Sequence, residues 1–347
     1  MINFIAHLLS NMKTGKKILF ILLLAIVVII IAFLTGPKPS APVYNTVMPE
    51  VPADFTALTH YISANEAKHK LKPDNNARIV WANDSAKQKT DYAIVYIHGF
   101  SASQEEGDSV HRNIAKAFGC NLYLARIAEH GIDTTAQMIN LTADKYWESG
   151  KEALAIGKQL GKKVILMSTS TGGTVSLKLA ATYPDDVAAL ILMSPNIAIN
   201  NSKAWLLNGH WGLQLARLIT GSEYVAYKTN NQLKNQYWYQ RYRLEAAVQL
   251  QNLVATTMNK ETFQQVKQPT ELLYYYKDAV HQDSTVKVSA ELSMFDELGT
   301  PANLKYKQAI PNAGAHPIGS YISSHDTKTV QKAIAGFMTG VLRLKER

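Results

Sequence analysis

Three segments hold side chains that would do nucleophilic chemistry if the fold assembled them. They are "MSTSTGG" (167–173) with Ser170, "KDAVHQDSTV" (277–286) with two aspartates, and "PNAGAHPIGS" (311–320) with His316. A serine hydroxyl is a weak nucleophile and needs an imidazole base, itself oriented by a carboxylate. Ser170 follows an apolar run at 164–167 that reads as a buried strand, and it precedes the small, helix-spaced residues of 172–183. A strand that turns at once into a helix strains the corner residue and exposes its side chain at the carboxyl edge of the sheet. The residues two before and two after the corner must be small. Gly172 satisfies this, and Ser168 stands where such elbows usually carry glycine. Taken alone, the stretch also suits a polar strand end before an ordinary helix.

A serine elbow on a parallel sheet takes its partners in the chain order Ser, Asp or Glu, His. His316 falls in the loop after a late strand, where the base is expected; His325, at the start of the last helix, is the fallback. Asp278 is nearer the preceding strand end. Asp283 is followed by Ser-Thr-Val and a helical run from 287, which would hold it on a short loop, and it is the preferred acid. Asp278 is then a solvated loop residue. The reaction also needs two N–H donors for a tetrahedral oxyanion. "IHGF" (97–100) ends an early strand at the same edge, so the backbone N–H groups of Phe100 and Thr171 are the expected pair.

The elements that must position these groups alternate. Strands are expected near 78–81, 92–99, 121–128, 163–168, 187–194, 271–276 and 304–310, and helices near 109–118, 143–160, 172–183, 287–298 and from 327. The helix at 143–160 places Ala143, Trp147, Gly150, Leu154, Gly157 and Leu160 on one face. Such alternation implies βαβ units and a doubly wound, mostly parallel sheet. Residues 197–270 break it: they are polar, aromatic and helical in pattern, with Tyr239, Tyr242, Ala246, Leu250, Leu253 and Thr257 three or four apart. They read as an insertion into one α/β domain spanning 78–347.

The chain has 347 residues, 47% of them apolar, which is ample for a packed core. The single cysteine, Cys120, permits no internal disulfide, and no Cys/His cluster points to zinc. The formal charge of +9 is unevenly spread: residues 1–49 carry four lysines and no acid, and 197–270 carry eight basic residues against three acids. No nucleic-acid reading motif accompanies this charge, so nucleic acid is not an expected partner.

From Ile18 to Leu34 run 17 uninterrupted apolar residues, preceded by Lys13, Lys16 and Lys17. A membrane span takes roughly 20 residues, with about 17 as the lower end. The run exceeds the core of a signal peptide, and Gly36 and Ala41 are each followed by proline, so no clean cleavage site appears. The expectation is an uncleaved signal anchor at 18–36, with 1–17 in the cytoplasm and the rest on the extracytoplasmic side. Residues 37–52 hold five of the 12 prolines and read as a semi-rigid stalk within a lead-in that extends to 77.

The segments "HGFSAS", "ARIAEHG", "STSTGG", the loop of Asp283 and "NAGAHP" together resemble the α/β-hydrolase family over about 78–347. Among its branches the chain is most similar to monoacylglycerol lipases and carboxylesterases. The resemblance implies an α/β-hydrolase fold whose helical cap is the 197–270 insertion, and a serine hydrolase cleaving carboxylic esters without metal or organic cofactor. It makes Ser170 the nucleophile, His316 the base, Asp283 the orienting acid, and His130 a structural loop residue. Ser168 departs from the family pattern. Thioester, amide or peptide hydrolysis, acyl transfer and carbon–carbon cleavage remain open to the same triad, and a non-catalytic binding module is the reading from another class. The basic, aromatic cap, with Trp205, Trp211, Trp238, Lys234, Arg241 and Arg243, either packs on the core or faces an anionic lipid surface.

Overall fold

The computed structural model describes residues 13–347. Of the cytoplasmic segment expected over 1–17, residues 1–12 therefore lie outside the described residues. Helix α1, Thr14–Leu34, has 21 residues and no buried side chain. At 1.5 Å per residue it is about 31 Å long, enough to cross a bilayer's hydrocarbon layer. Residues 37–52 follow without helix or strand. They are not a free spacer. Asn252 Nδ2 donates to Ser40 O at 2.9 Å, Trp147 Nε1 to Asn45 O at 2.7 Å and Lys151 Nζ to Val47 O at 2.8 Å. The prolines prevent regular structure, so the domain's own donors satisfy the carbonyls and the segment becomes a strap. Helix α2, Phe55–Glu66, was not evident in the sequence; Asp54 caps it by accepting the Ala57 N–H.

The α/β core runs β1 (Arg78–Val80), β2 (Thr90–Ile97), α3 (Val110–Ala117), β3 (Asn121–Leu124), α4 (Ala143–Leu160), β4 (Gly161–Thr169), α5 (Thr171–Thr182) and β5 (Ala189–Met193). The insertion follows: α6 (Gly212–Thr220), β6 (Tyr224–Ala226), α7 (Gln232–Tyr237), β7 (Arg241–Arg243), α8 (Leu244–Thr257) and α9 (Lys260–Gln265). The core resumes with β8 (Thr270–Tyr274), α10 (Val288–Glu297), β9 (Lys305–Ala309) and α11 (Thr327–Gly340). The helical periodicity starting at Tyr239 breaks at 241–243, because those residues pair antiparallel with β6.

The sheet has seven strands in the order β1-β3-β2-β4-β5-β8-β9, all parallel except the β1–β3 pair. Its two faces are buried separately. Trp147, Leu154, Leu160, Val175 and Leu179 pack on one face, and Ile114, Phe118, Val330, Ile334 and Phe337 on the other. The buried parts of the central strands, 93–97 in β2, 164–167 in β4 and all of β5, are therefore continuous apolar runs, as parallel strands covered on both sides require. The chain moves from β2 outward to β3, then crosses to β4 on the other side of β2. That reversal opens a crevice beyond the carboxyl ends of β2 and β4, where α/β sheets place ligands. Phe100 follows β2 and Ser170 follows β4.

Candidate active site

Ser170 sits alone between β4 and α5 with φ 54° and ψ −123°, a conformation that L residues rarely adopt. The chain is held there because Ser170 N donates to Met193 O at 3.1 Å, and Ser170 O accepts from Asn196 N and Gly173 N at 2.8 Å each. The turn is tight enough to require Gly172: a Cβ on it would lie 2.0 Å from Ile97 O, which is backbone and cannot yield. Position 168 is less demanding. Ser168 is fully buried, and its Oγ has no hydrogen-bond partner among the described residues. The fold thus accommodates the extra Cβ at the cost of an unpaired hydroxyl.

His316 lies in the loop after β9, and its Nδ1 is 2.6 Å from Asp283 Oδ2. Asp283 is almost wholly buried; its other oxygen accepts the Thr285 and Val286 N–H groups at 2.8 and 3.1 Å. Burial acts to raise the Asp283 pKa, but the His316 charge, its hydrogen bond and the two backbone donors outweigh burial and leave it lowered. For His316 burial acts to lower the pKa; the Asp283 charge and hydrogen bond, with a further contribution from Glu106, leave it raised. His316 Nε2 has no hydrogen-bond partner among the described residues, and His316 and Ser170 line the same cavity.

The other candidates separate cleanly. Asp278 is exposed and pairs with His281 at 2.9 Å; that hydrogen bonding pulls its pKa down to about 2, and it makes no contact with His316. His325 adjoins Gly314 and donates its backbone N–H to Ala313 O. Phe100 and Thr171 both line the cavity, and their backbone N–H groups have no acceptor among the described residues. His130 is structural: it is fully buried, Nε2 accepts the Ser101 N–H at 3.1 Å, and burial drives its pKa well down. It thereby braces the loop that carries Phe100.

Two features escaped the sequence. Glu106, in the helical turn Gln104–Gly107, is buried in the cavity wall and accepts the Gly99 N–H. No spacing or motif around "QEEG" marks Glu106 as buried. The cap charge also differs from a simple count. Arg243 is largely enclosed and ion-paired with Glu223 and Glu245 at 2.5 and 2.7 Å, while Arg241 stacks 3.5 Å over the Tyr224 ring. Arg243 is therefore not a free surface cation.

The cavity holds about 770 Å³, and its cap side carries Leu206, Leu207, Leu215, Ile219, Val225 and Leu250 beside the polar Lys203, Lys234 and Gln240. No group of three or more His, Cys, Asp or Glu among the described residues could hold a metal ion.

This architecture is the α/β-hydrolase fold. Residues 142–284 match the family model described as serine aminopeptidase, S33; the match takes in Ser170 and Asp283 and stops before His316. Solved structures with the same fold include a lipolytic enzyme from the metagenome-derived LipS and LipT study. It is 14% identical with a TM-score of 0.62, over 78% of this chain and all of that one. The monoacylglycerol lipase of Paleococcus ferrophilus is 13% identical with a TM-score of 0.56, over 76% of this chain and 98% of that one. A soluble variant of the Saccharomyces cerevisiae monoglyceride lipase is 11% identical with a TM-score of 0.59, over 88% and 98%. Among curated proteins none matches the chain in sequence.

Proposed function

We propose that this protein is a membrane-anchored serine hydrolase that cleaves carboxylic esters through Ser170, His316 and Asp283. The observation that carries the reading is the conjunction of the strained Ser170 elbow with the buried His316–Asp283 pair at 2.6 Å on one cavity. Ser170 Oγ attacks the ester carbonyl carbon while its proton passes to His316 Nε2. The oxyanion forms within reach of the Phe100 and Thr171 N–H groups. The imidazolium then gives the proton to the departing alkoxide, leaving an acyl-enzyme and a free alcohol. Water repeats the sequence, its proton going through His316 back to Ser170, and the acid leaves. Asp283 keeps Nδ1 protonated and stabilises the imidazolium throughout. These steps consist of proton transfer and charge stabilisation, and the protein's own groups supply both.

The leucines, Ile219 and Val225 on the cap side of the cavity favour an acyl chain, in keeping with the lipolytic enzymes that share the fold. A series of esters of increasing acyl length tests this, with Ser170→Ala as the control. Rising kcat/KM with chain length supports a lipid ester, whereas preference for acetyl esters contradicts it. The family match to serine aminopeptidases gives amide substrates the second reading, and aminoacyl anilides test it alongside.

The anchor belongs to the same proposal. The strap and the end of α1 meet the cap: Trp211 N donates to Pro37 O at 2.7 Å, Trp211 Nε1 to Ala32 O at 3.1 Å, and His210 Nδ1 pairs with Gly36 O at 2.7 Å. Near this junction Trp205, Leu218 and Ile219 are 67, 80 and 71% exposed, and Ile219 also lines the cavity. Such a surface suits the interface of the bilayer that α1 would cross. The domain without residues 1–52 is expected to bind anionic vesicles weakly, and less as salt rises. Binding that ignores salt, or none at low salt, would leave the cap as a substrate lid. A reporter fused after Pro52 tests the extracytoplasmic placement of the domain by its export.

A further inference from the structure

Glu106 is the one carboxylate among the described residues lining the cavity, and the mechanism above does not use it. Its location is unusual for an acid. One oxygen accepts the Gly99 N–H, one residue before Phe100. A Cβ placed on Gly99 would lie 2.9 and 3.0 Å from the two Glu106 oxygens and 2.7 Å from Ser170 Cβ. The carboxylate therefore rests against the backbone of the oxyanion loop, with the nucleophile packed on that same glycine. Only a residue without a side chain fits between them. Ser170, Phe100, His316 and Trp238 share the cavity wall with it.

We propose, on the hydrolase reading above, that Glu106 is a positioning residue with two roles. Its carboxylate fixes the Gly99 peptide, and so the aim of the Phe100 N–H, and its charge supports the imidazolium that His316 becomes during acyl transfer. A buried carboxylate is normally disfavoured, and here burial pushes Glu106 up to about 7 against the opposing pull of the Gly99 N–H, the His316 charge and Trp238. Glu106 in turn adds to the forces raising His316. The two groups are linked, and each proton's departure depends on the other's state.

No other group near Glu106 competes for this role. Tyr96 on β2 and Tyr146 on α4 face its charge, and burial raises both phenols well above their ordinary value. His98, after β2, is driven down to about 4 by burial and stays neutral near pH 7, as does His130. Glu105, the neighbour in sequence, is raised first by burial and then by Asp108, with Arg112 opposing. Asp283 meets His316 on its other nitrogen's side, through Nδ1. Lys203 and Lys234 belong to the cap lining of the same cavity.

The test separates charge from shape. Glu106→Gln keeps an acceptor for Gly99 and removes the charge; Glu106→Ala removes both; Glu106→Asp keeps the charge. The His316 imidazole is titrated by NMR in the full-length protein in detergent micelles, a readout that does not require turnover. Glu106→Gln is expected to move the His316 midpoint to lower pH, and Glu106→Asp to retain most of the wild-type value. In ester hydrolysis the acid limb of kcat/KM should move the same way. Glu106→Ala should lose about a further tenfold in kcat with KM little changed, the scale of one backbone hydrogen bond realised in the transition state. An unmoved His316 midpoint in a folded Glu106→Gln protein overturns the proposal, as does equal kcat for Glu106→Gln and Glu106→Ala. Failure of the hydrolase reading would show differently, as absence of turnover in the wild type with the midpoint shift intact.

Discussion

Replacing Asp283 with asparagine preserves shape and removes one charge, so its effect isolates the link between the acid and His316. The Asp283 carboxylate makes three hydrogen bonds among the described residues: Oδ1 accepts from Thr285 and Val286, and Oδ2 holds His316 Nδ1 at 2.6 Å. In the asparagine variant the two backbone donors still need an oxygen, so the amide oxygen stays with them. The NH2 group then faces His316 Nδ1. Two donors cannot meet, so Nδ1 gives up its proton and Nε2 becomes the protonated nitrogen. A histidine with Nε2–H cannot take the proton from Ser170. Losing the correct tautomer costs about 10⁴ in kcat, or about 5 kcal/mol, where the geometry is otherwise intact. The assay is hydrolysis of a short, soluble p-nitrophenyl ester by detergent-solubilised protein, normalised to folded enzyme by its melting transition. Asp278→Asn serves as the control, because Asp278 is exposed and engaged with His281. It is expected to stay within about twofold, as surface substitutions away from the site usually do. A loss below about a hundredfold for Asp283→Asn, or a matching loss for Asp278→Asn, would refute the reasoning.

Two further expectations follow from the same geometry. Ser168→Gly should leave activity equal or improved, since it removes an unpaired buried hydroxyl, while Ser168→Val should crowd the elbow and lower both kcat and Tm. Equal activity in the two variants would mean the corner is not tight. The His316–Asp283 pair should also shape stability against pH. The lowered pKa of Asp283 makes its contribution present above the unfolded carboxyl value and lost as pH falls through the folded one. The raised pKa of His316 makes its share complete below the unfolded imidazole value and lost as pH rises through the folded one. Both shares coexist between about pH 4 and 6.5. Denaturant unfolding of wild type and Asp283→Asn should therefore differ most in that window; a gap that keeps growing above it would contradict the assignment.

Much of the site is legible in the residues because its signals are local. The elbow needs small neighbours at fixed offsets around Ser170, and Gly172 records the contact with Ile97 O. Asp283 and Asp278 each accept two following backbone N–H groups, from Thr285 and Val286 and from Val280 and His281, so that local feature does not separate them; burial and the contact with His316 do, and the fold sets both. The strap was opaque for the opposite reason. Its prolines exclude helix and strand, but whether it docks depends on Trp147, Lys151 and Asn252, some 100 to 212 residues away. Glu106 was hidden in the same way: only the fold brings Gly99 to its carboxylate and buries an acid that composition would place in water. Arg243 counts as positive charge in the chain, and only its packing against Glu223 and Glu245 shows that the charge is already answered.

In the proposed mechanism Ser170 is a nucleophile activated by His316. The most direct measurement is covalent labelling of the full-length protein with a fluorophosphonate, followed by peptide mass spectrometry. A single adduct is expected on the peptide containing Ser170, absent in Ser170→Ala and strongly slowed in His316→Ala. An adduct on another residue, or none in a folded protein, would contradict it.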